Sequence, residues 1–135
     1  MPDKSAIYAV TSMAIVTLAV LCVPASAQER WAAIAPNNEA SSTVVWATTK
    51  DQAKRNAIDA CKDVSSTCAS TPASTNDMSH VFAIMCCTSP KLGCAVSVAE
   101  SRKSALSQVK RTMSQEDYSD CKLKNYIKAG TGEKS

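Results

Sequence analysis

Cysteine is the residue type that most constrains this chain. The sequence holds seven cysteines in 135 residues, and the first of them, Cys22, lies in a leading segment that we predict is removed. The other six form an even set in a short chain, which is typical of a disulfide framework in an exported protein. Six cysteines can pair in fifteen ways, and the sequence alone does not choose among them. The candidates are Cys61, Cys68, Cys86, Cys87, Cys94 and Cys121.

The leading segment, Met1–Ala27, has the pattern of a secretory signal peptide. Lys4 supplies positive charge, an apolar run follows over Ala6–Val23, and Ala25-Ser26-Ala27 offers the small residues that a signal peptidase requires. An uncleaved membrane anchor is the alternative, because a run of about 18 residues is just long enough to span a bilayer. We expect cleavage, and therefore a secreted or periplasmic protein with no stable membrane span.

Charge and composition argue against several classes of function. The net charge is +3, from 15 Lys and Arg against 12 Asp and Glu, which is too weakly basic for a nucleic-acid-binding protein. The hydrophobic content of 45% is too high for a disordered chain. A single histidine, His80, excludes chemistry that needs two imidazoles. The sequence has no Gly-x-Ser-x-Gly elbow, and six paired cysteines leave no thiol nucleophile, so we expect neither an enzyme nor a cofactor.

Residues 31–79 form the first half of a predicted repeat. Trp31–Ala35 is a short apolar run that ends at a turn signal, and Thr43–Thr48 is β-branched and aromatic. Both patterns predict strands. After a helix, a brief strand is expected to begin at Cys68, and Thr71–Ser79 has the composition of a polar loop.

The helix of this first half is predicted from its cap and its periodicity. Thr49 and Gln52 form a capping box, so the helix is expected to begin at Lys50. Its apolar positions have helical spacing, and because most are alanine the helix can lie close to a sheet. They are Ala53, Ala57, Ala60, Cys61 and Val64, with Ile58 widening the stripe.

Residues 80–128 repeat this order. His80–Cys87 is apolar at nearly every position, which is typical of a strand covered on both faces, and Cys94–Ala99 alternates as a second strand. A helix is expected over about Glu100–Met113, and Cys121–Lys128 alternates as a half-buried strand. The predicted buried side of the helix is Ala105, Leu106, Val109 and Met113. The inner row of the last strand is Cys121, Leu123, Asn125 and Ile127, with lysines in the outer row to discourage edge pairing.

The fold class predicted from these elements is α+β. The unit strand–strand–helix–strand occurs twice, and alignment of Ala57–Cys61 with Ala105–Val109 supports a duplication. We expect a single domain over residues 28–128, with a mainly antiparallel sheet, two helices on one face and three disulfides. Residues 129–135 are expected to form a flexible tail.

Three stretches carry a family resemblance. They are WAAIA at Trp31–Ala35, TKDQAKRNAIDAC at Thr49–Cys61 and FAIMC at Phe82–Cys86, and together they resemble the bacterial secreted domain-of-unknown-function 4189 family. The resemblance covers most of the chain after the leader and implies a small exported α+β module of bacterial origin, with no known reaction. The sequence departs from the family pattern in its few glycines, in the adjacent Cys86 and Cys87, and in Val109 where a cysteine is expected.

The Cys86-Cys87 pair is the most unusual local feature. Adjacent cysteines could bond to each other as a vicinal disulfide and act as a redox switch. Alternatively, because successive strand side chains point to opposite faces, each sulfur could reach a different partner, one of them Cys61 and the other a neighbouring strand. We favour separate bridges. A soft-metal site built from His80, Cys86, Cys87 and Cys94 is a further alternative, since thiolates and imidazole suit zinc or Cu(I).

Basic residues are concentrated towards the end of the chain. From Ser101 onward there are eight Lys and Arg against four Asp and Glu. A surface shared by the second helix and the last strand would attract an anionic envelope component or an acidic partner protein. The candidate contact residues are Lys103, Lys110, Lys122 and Lys124. The expected function is therefore a non-enzymatic binding module, such as an inhibitor, an immunity factor or an envelope or host-interaction factor. The alternative is a thiol-redox or metal-handling protein.

Overall fold

The computed structural model describes residues 29–135, and the predicted signal peptide lies outside them. In chain order the elements are β1 (Trp31–Ile34), β2 (Val45–Ala47), α1 (Lys50–Lys62), β3 (Ala73–Thr75), β4 (Val81–Ser89), β5 (Gly93–Ala99), α2 (Arg102–Gln115) and β6 (Ser119–Lys128). Within this part of the chain, neither helix has the length and apolar character needed to cross a membrane.

The strands form two three-stranded antiparallel sheets. The first sheet has the order β2-β1-β3 and the second has the order β5-β4-β6. In each sheet the earliest strand is central, the next strand lies on one side, and the strand after the helix lies on the other. The α+β class and the repeated strand–strand–helix–strand unit are therefore confirmed.

The two sheets face each other across a shared core. Ala32 and Ile34 of β1 belong to the same buried cluster as Phe82 and Ile84 of β4, together with Ile127 of β6. The neighbouring residues of β1 and β4 point outward, towards α1 and α2 respectively. The arrangement of the helices therefore differs from the predicted one, in which both lie on one face. Each helix covers the outer face of its own sheet, so the order of layers is α1, first sheet, second sheet, α2.

Each helix begins at a hydroxyl cap and buries a narrow stripe. The Thr49 Oγ1 accepts the Gln52 N–H at 3.2 Å, and the Ser101 Oγ accepts the Ser104 N–H at 3.1 Å. The buried stripes are Ala53, Ala57 and Cys61 in α1 and Ala105, Val109 and Met113 in α2. Both stripes begin four residues after the cap, so Cys61 holds the same position in α1 as Met113 holds in α2. The sequence alignment instead matches Cys61 with Val109, which lies one turn earlier in α2.

The predicted stripe of α1 is too long at its end. The helix stops at Lys62, so Val64 leaves the helical row and is 63% exposed. The short side chain of alanine at the other buried positions brings α1 close to Ala33 of β1 and to Ala35, just after that strand, as the composition of the stripe predicted.

Strand β6 contains a bulge that changes which side chains face the core. Ile84 pairs with Asn125, but Met85 pairs with Leu123, so Lys124 is the extra residue. A bulge of this kind reverses the alternation of side chains along the strand. Asn125 therefore lies on the inner face with Ile84, whereas Leu123 lies on the face that α2 covers. The prediction of one uninterrupted inner row is wrong for this reason, and most of β6 is exposed.

The third strand lies where we expected a loop. No strand begins at Cys68; β3 occupies Ala73–Thr75, inside the predicted polar loop Thr71–Ser79. Ser74 pairs with Ala33 of β1. The backbone pairing with β1, rather than any apolar alternation of its own, makes this segment a strand.

The end of the chain folds back against β6. Residues 129–135 were expected to be a flexible tail, but Gly132, with a φ of 73°, turns the chain, and its N–H donates to the Lys128 carbonyl at 2.8 Å. Tyr126 and Ser135 then exchange two backbone hydrogen bonds of 3.0 and 2.9 Å. Positive φ is readily adopted by glycine, so the turn is encoded locally.

Candidate binding groove

All six cysteines of the described chain are paired. The bridges are Cys61–Cys68, Cys86–Cys94 and Cys87–Cys121, which confirms the predicted disulfide framework. Cys86 and Cys87 bond to opposite neighbours, β5 and β6, and not to each other. The expectation that one of them would reach Cys61 is wrong, because Cys61 bonds within its own loop.

The register of the second sheet explains this pairing. In an antiparallel sheet, opposite residues whose backbones do not hydrogen-bond to each other have closer Cα atoms than those that do. A residue of a central strand forms the close type of pair with one neighbouring strand and the wider type with the other, and the next residue does the reverse. Cys86 lies directly opposite Cys94, with Cα atoms 4.0 Å apart, and Cys87 lies opposite Cys121 at 3.9 Å. Consecutive cysteines in such a strand can therefore bridge only to opposite neighbours. The bulge at Lys124 supplies the register that sets Cys121 against Cys87.

A groove opens where the longer sheet extends past the shorter one. Strands β4 and β6 have 9 and 10 residues, whereas β1 and β3 have 4 and 3. The first sheet covers Phe82 and Ile84, and the inner face beyond them is left open with a groove of about 700 Å³. Its lining residues are Asn38, Glu39 and Ala40 of the β1–β2 loop, Cys86 and Thr88 of β4, Leu92, and Asp120, Cys121, Lys122 and Lys124 of β6.

The β1–β2 loop forms one wall of the groove, and hydrogen bonds hold it in place. The Asn37 side chain is buried; its amide oxygen accepts the Ser41 N–H at 3.0 Å, and its amide nitrogen donates to the Ser41 hydroxyl at 3.0 Å and to the Cys61 Sγ at 3.6 Å. The Asn38 N–H donates to the Thr67 hydroxyl at 2.9 Å. This wall is therefore tied to the segment that follows α1.

Glu39 is the charged residue of this wall. Its carboxylate accepts hydrogen bonds from the hydroxyls of Ser65 at 2.6 Å and Thr67 at 2.9 Å. These bonds lower the pKa of Glu39 below its ordinary value of 4.5, and the bond from Ser65 has the larger effect. Glu39 is thus negatively charged at neutral pH. Both hydroxyls lie in the short loop closed by the Cys61–Cys68 bridge.

Each of the three bridges therefore supports the groove. Cys86 and Cys121 are among its lining residues, although the Cys87–Cys121 bridge lies on the α2 side of the same two strands. The third bridge closes the loop that holds the wall. Two lining residues, Ala40 at φ 52° and Asp120 at φ 54°, have left-handed backbone conformations. Such conformations are uncommon for residues other than glycine, and they tend to occur at functional sites.

The structure divides the four lysines predicted to contact a partner. Lys122 and Lys124 line the groove, whereas Lys103 and Lys110 lie on α2, which covers the other face of the second sheet. In the described part of the chain the ion pairs are His80–Asp77 and Lys128–Glu133, so neither groove lysine is paired with a carboxylate there.

His80 lies just before β4, and its side-chain partners are Thr75 and Asp77. It is not bound to Cys86, Cys87 or Cys94, the other residues of the alternative metal site. Its Nδ1 is 2.9 Å from the Thr75 hydroxyl, and its Nε2 is 3.4 Å from the Asp77 carboxylate. Between residues 29 and 135 no three His, Cys, Asp or Glu side chains are placed to hold a metal ion. Thr75 is buried and its hydroxyl also accepts the Asp77 N–H, so this cluster closes the turn between β3 and β4.

Sequence reasoning missed the loop side of the groove. The turn signal that ends the run Trp31–Ala35 is Pro36-Asn37-Asn38, and its pattern predicts only a turn. Asparagine at a turn often fixes the backbone through its side chain, as Asn37 does here. The hydroxyl partners of Glu39 are 26 and 28 residues away in the sequence, and no local pattern reveals them.

Comparisons with known protein families, with curated proteins and with solved structures found no match for this chain. The family resemblance noted in the sequence therefore stays a prediction, and the geometry of the groove is the basis for the function proposed below.

Proposed function

We propose that the protein is an exported, non-enzymatic binding module and that the groove is its binding site. The observation that carries this proposal is the arrangement of the three disulfides, each of which has a cysteine that lines the groove or closes the loop that holds its wall. A site that is rigid before binding loses less conformational entropy when the ligand arrives. Cross-links placed around a groove therefore favour binding.

The chemistry of the lining also favours binding over catalysis. Its charged side chains are two lysines, an aspartate and a glutamate that is already engaged by two hydroxyls. General acid–base work requires a group whose pKa lies near the operating pH, and His80 lies elsewhere, in the turn before β4. The lysines suit contact with an anionic group.

The paired cysteines support export. Structural disulfides form and persist outside the reducing cytoplasm, so a secreted or periplasmic location is consistent with three of them in one small domain. A redox function based on a Cys86-Cys87 bond loses its premise, since each cysteine bonds to a different strand. Thiol counting on protein isolated without reductant should find no free thiol in the chain after cleavage.

The experiment that tests the groove is a comparison of two charge-reversed variants. Lys122→Glu with Lys124→Glu alters the groove, and Lys103→Glu with Lys110→Glu makes the same charge change on α2. Both variants and the wild type are immobilised in oxidised form and exposed to envelope extract and culture medium of the source cells. We expect a bound component that the groove variant loses and the α2 variant keeps. Equal recovery on all three proteins would refute the groove as the binding site.

A further inference from the structure

We infer that the ligand of the groove is a short acidic segment of a partner protein, with an apolar side chain next to its carboxylate. The inference rests on the proposed function and names the chemical class of the ligand. It follows from the distribution of charge and of apolar surface within the groove.

The basic residues of the groove lie in the first part of β6. Lys122 lies on the inner face because it pairs with Cys86, and Lys124 lines the same groove from the bulge. Both are exposed, and neither has a carboxylate partner in the described residues. Two lysines of one strand that line the same groove are complementary to a carboxylate of a ligand.

The groove also holds two acidic residues, and these determine the kind of anion that fits. Glu39, on the β1–β2 loop, is charged, since its hydroxyl partners lower its pKa, and Asp120 lines the groove from β6, two residues before Lys122. A long polyanion, or the surface of an anionic membrane, would place negative charge against these carboxylates as well as against the lysines. Like charges in contact are unfavourable. A ligand with one localised negative group avoids this repulsion, and an acidic peptide segment has that property.

The groove also has an apolar part. Leu92 lines the groove and is 51% exposed, and the largely buried Cys86 lines it from β4. Covering an exposed leucine is favourable in proportion to the apolar area removed from water. The groove, at about 700 Å³, is also within the size range of sites that enclose small ligands, roughly 300–1,000 Å³. It can thus accept a few residues of a chain, with one apolar side chain against Leu92.

The experiment uses a phage-displayed library of random dodecapeptides selected on the oxidised wild-type protein. Selected peptides are synthesised, and their affinities are measured by fluorescence anisotropy. We expect them to share an Asp or Glu next to a Leu, Ile, Val or Phe. The Lys122→Glu, Lys124→Glu variant should bind them at least about tenfold more weakly, and the α2 variant with Lys103→Glu and Lys110→Glu should bind like the wild type.

A second variant tests the apolar contact separately. Leu92→Ser leaves the lysines in place and should weaken the selected peptides by about fivefold to tenfold. Unchanged affinity in this variant would overturn the apolar part of the inference.

Other outcomes would overturn the peptide class while leaving the groove as a binding site. These are selected peptides without enriched acidic residues, peptides that bind the groove variant as well as the wild type, and lysine-dependent binding to phosphatidylglycerol vesicles with no peptide selected. Equal recovery of envelope and medium components by all proteins in the immobilisation experiment would instead refute the proposed function itself.

Discussion

The two cross-strand bridges of β4 should contribute unequally to stability, and the structure gives the size of the difference. Cys87–Cys121 joins residues 34 apart in the sequence, and Cys86–Cys94 joins residues 8 apart. Each bridge has one buried sulfur, on β4, and one partner that is more exposed. Replacing both cysteines of either pair by alanine therefore removes similar side-chain contacts, and the length of the closed loop is the main difference between the variants.

The loop lengths convert into free energies of unfolding through the entropy that a cross-link removes from the unfolded chain. A loop of 34 residues corresponds to about 3.8 kcal/mol and a loop of 8 residues to about 2.5 kcal/mol at room temperature. The Cys87→Ala, Cys121→Ala variant should thus be less stable than the Cys86→Ala, Cys94→Ala variant by about 1.3 kcal/mol. In a domain of this size that difference lowers the melting temperature by roughly 5–10 °C.

Equilibrium urea unfolding of the oxidised proteins measures these free energies. The Cys61→Ala, Cys68→Ala variant is the control, because its loop of 7 residues predicts a loss of about 2.4 kcal/mol, close to that of the other short loop. Loop entropy would be refuted as the source of the stabilisation if the Cys86–Cys94 pair cost as much as the Cys87–Cys121 pair. It would also be refuted if the control were the least stable of the three.

Three further changes test the core, the loop and the charged wall. Phe82→Ala, at the largest fully buried side chain, should lower the free energy of unfolding by about 3–5 kcal/mol in urea, and a loss below about 1 kcal/mol would contradict the assignment of the core. Ala40→Gly should raise it by about 0.5–1 kcal/mol, since glycine adopts the φ of 52° without strain, and a decrease would show that the loop is not strained. Hydrogen bonds from Ser65 and Thr67 lower the pKa of Glu39 in the folded protein below its ordinary value of 4.5. The ionised carboxylate therefore stabilises the fold above pH 4.5, and this stabilisation is lost as the pH falls through the lowered pKa. Ser65→Ala should move the pKa of Glu39 up towards 4.5 in an NMR titration, and an unchanged value would show that the hydroxyl is not the cause.

The elements that sequence analysis predicted well are those whose signals are local. The cap at Thr49 and the alanine stripe fix α1, and the apolar run from His80 fixes β4, because each pattern depends on neighbouring residues. The layer order is not encoded in this way. Ala32 and Ala33 are both small and apolar, so the sequence does not distinguish the face of β1 that meets the second sheet from the face that meets α1.

The groove and the cysteine pairing depend on long-range register, which no local pattern reveals. The strand at Ala73–Thr75 has little apolar character and exists because β1 offers it backbone partners. The choice among fifteen pairings depends on the register of β4 with β5, which sets Cys86 against Cys94, and on one extra residue in β6, which sets Cys121 against Cys87. Lys122 and Lys124 were singled out for their charge, but only the fold shows that they share a groove with Glu39.

The bulge at Lys124 reverses the alternation of side chains along the last strand. Odd-numbered residues before it lie on the face that α2 covers, and odd-numbered residues after it lie on the inner face. An insertion or deletion of one residue between Cys121 and Asn125 would therefore exchange the two faces. Cys121 would then point away from Cys87, and Lys122 would leave the inner face. A change of two residues would keep each side chain on its face but would move Cys121 two positions along β6, away from Cys87. The length of this segment therefore controls the cross-link more strictly than it controls the face on which Lys122 lies.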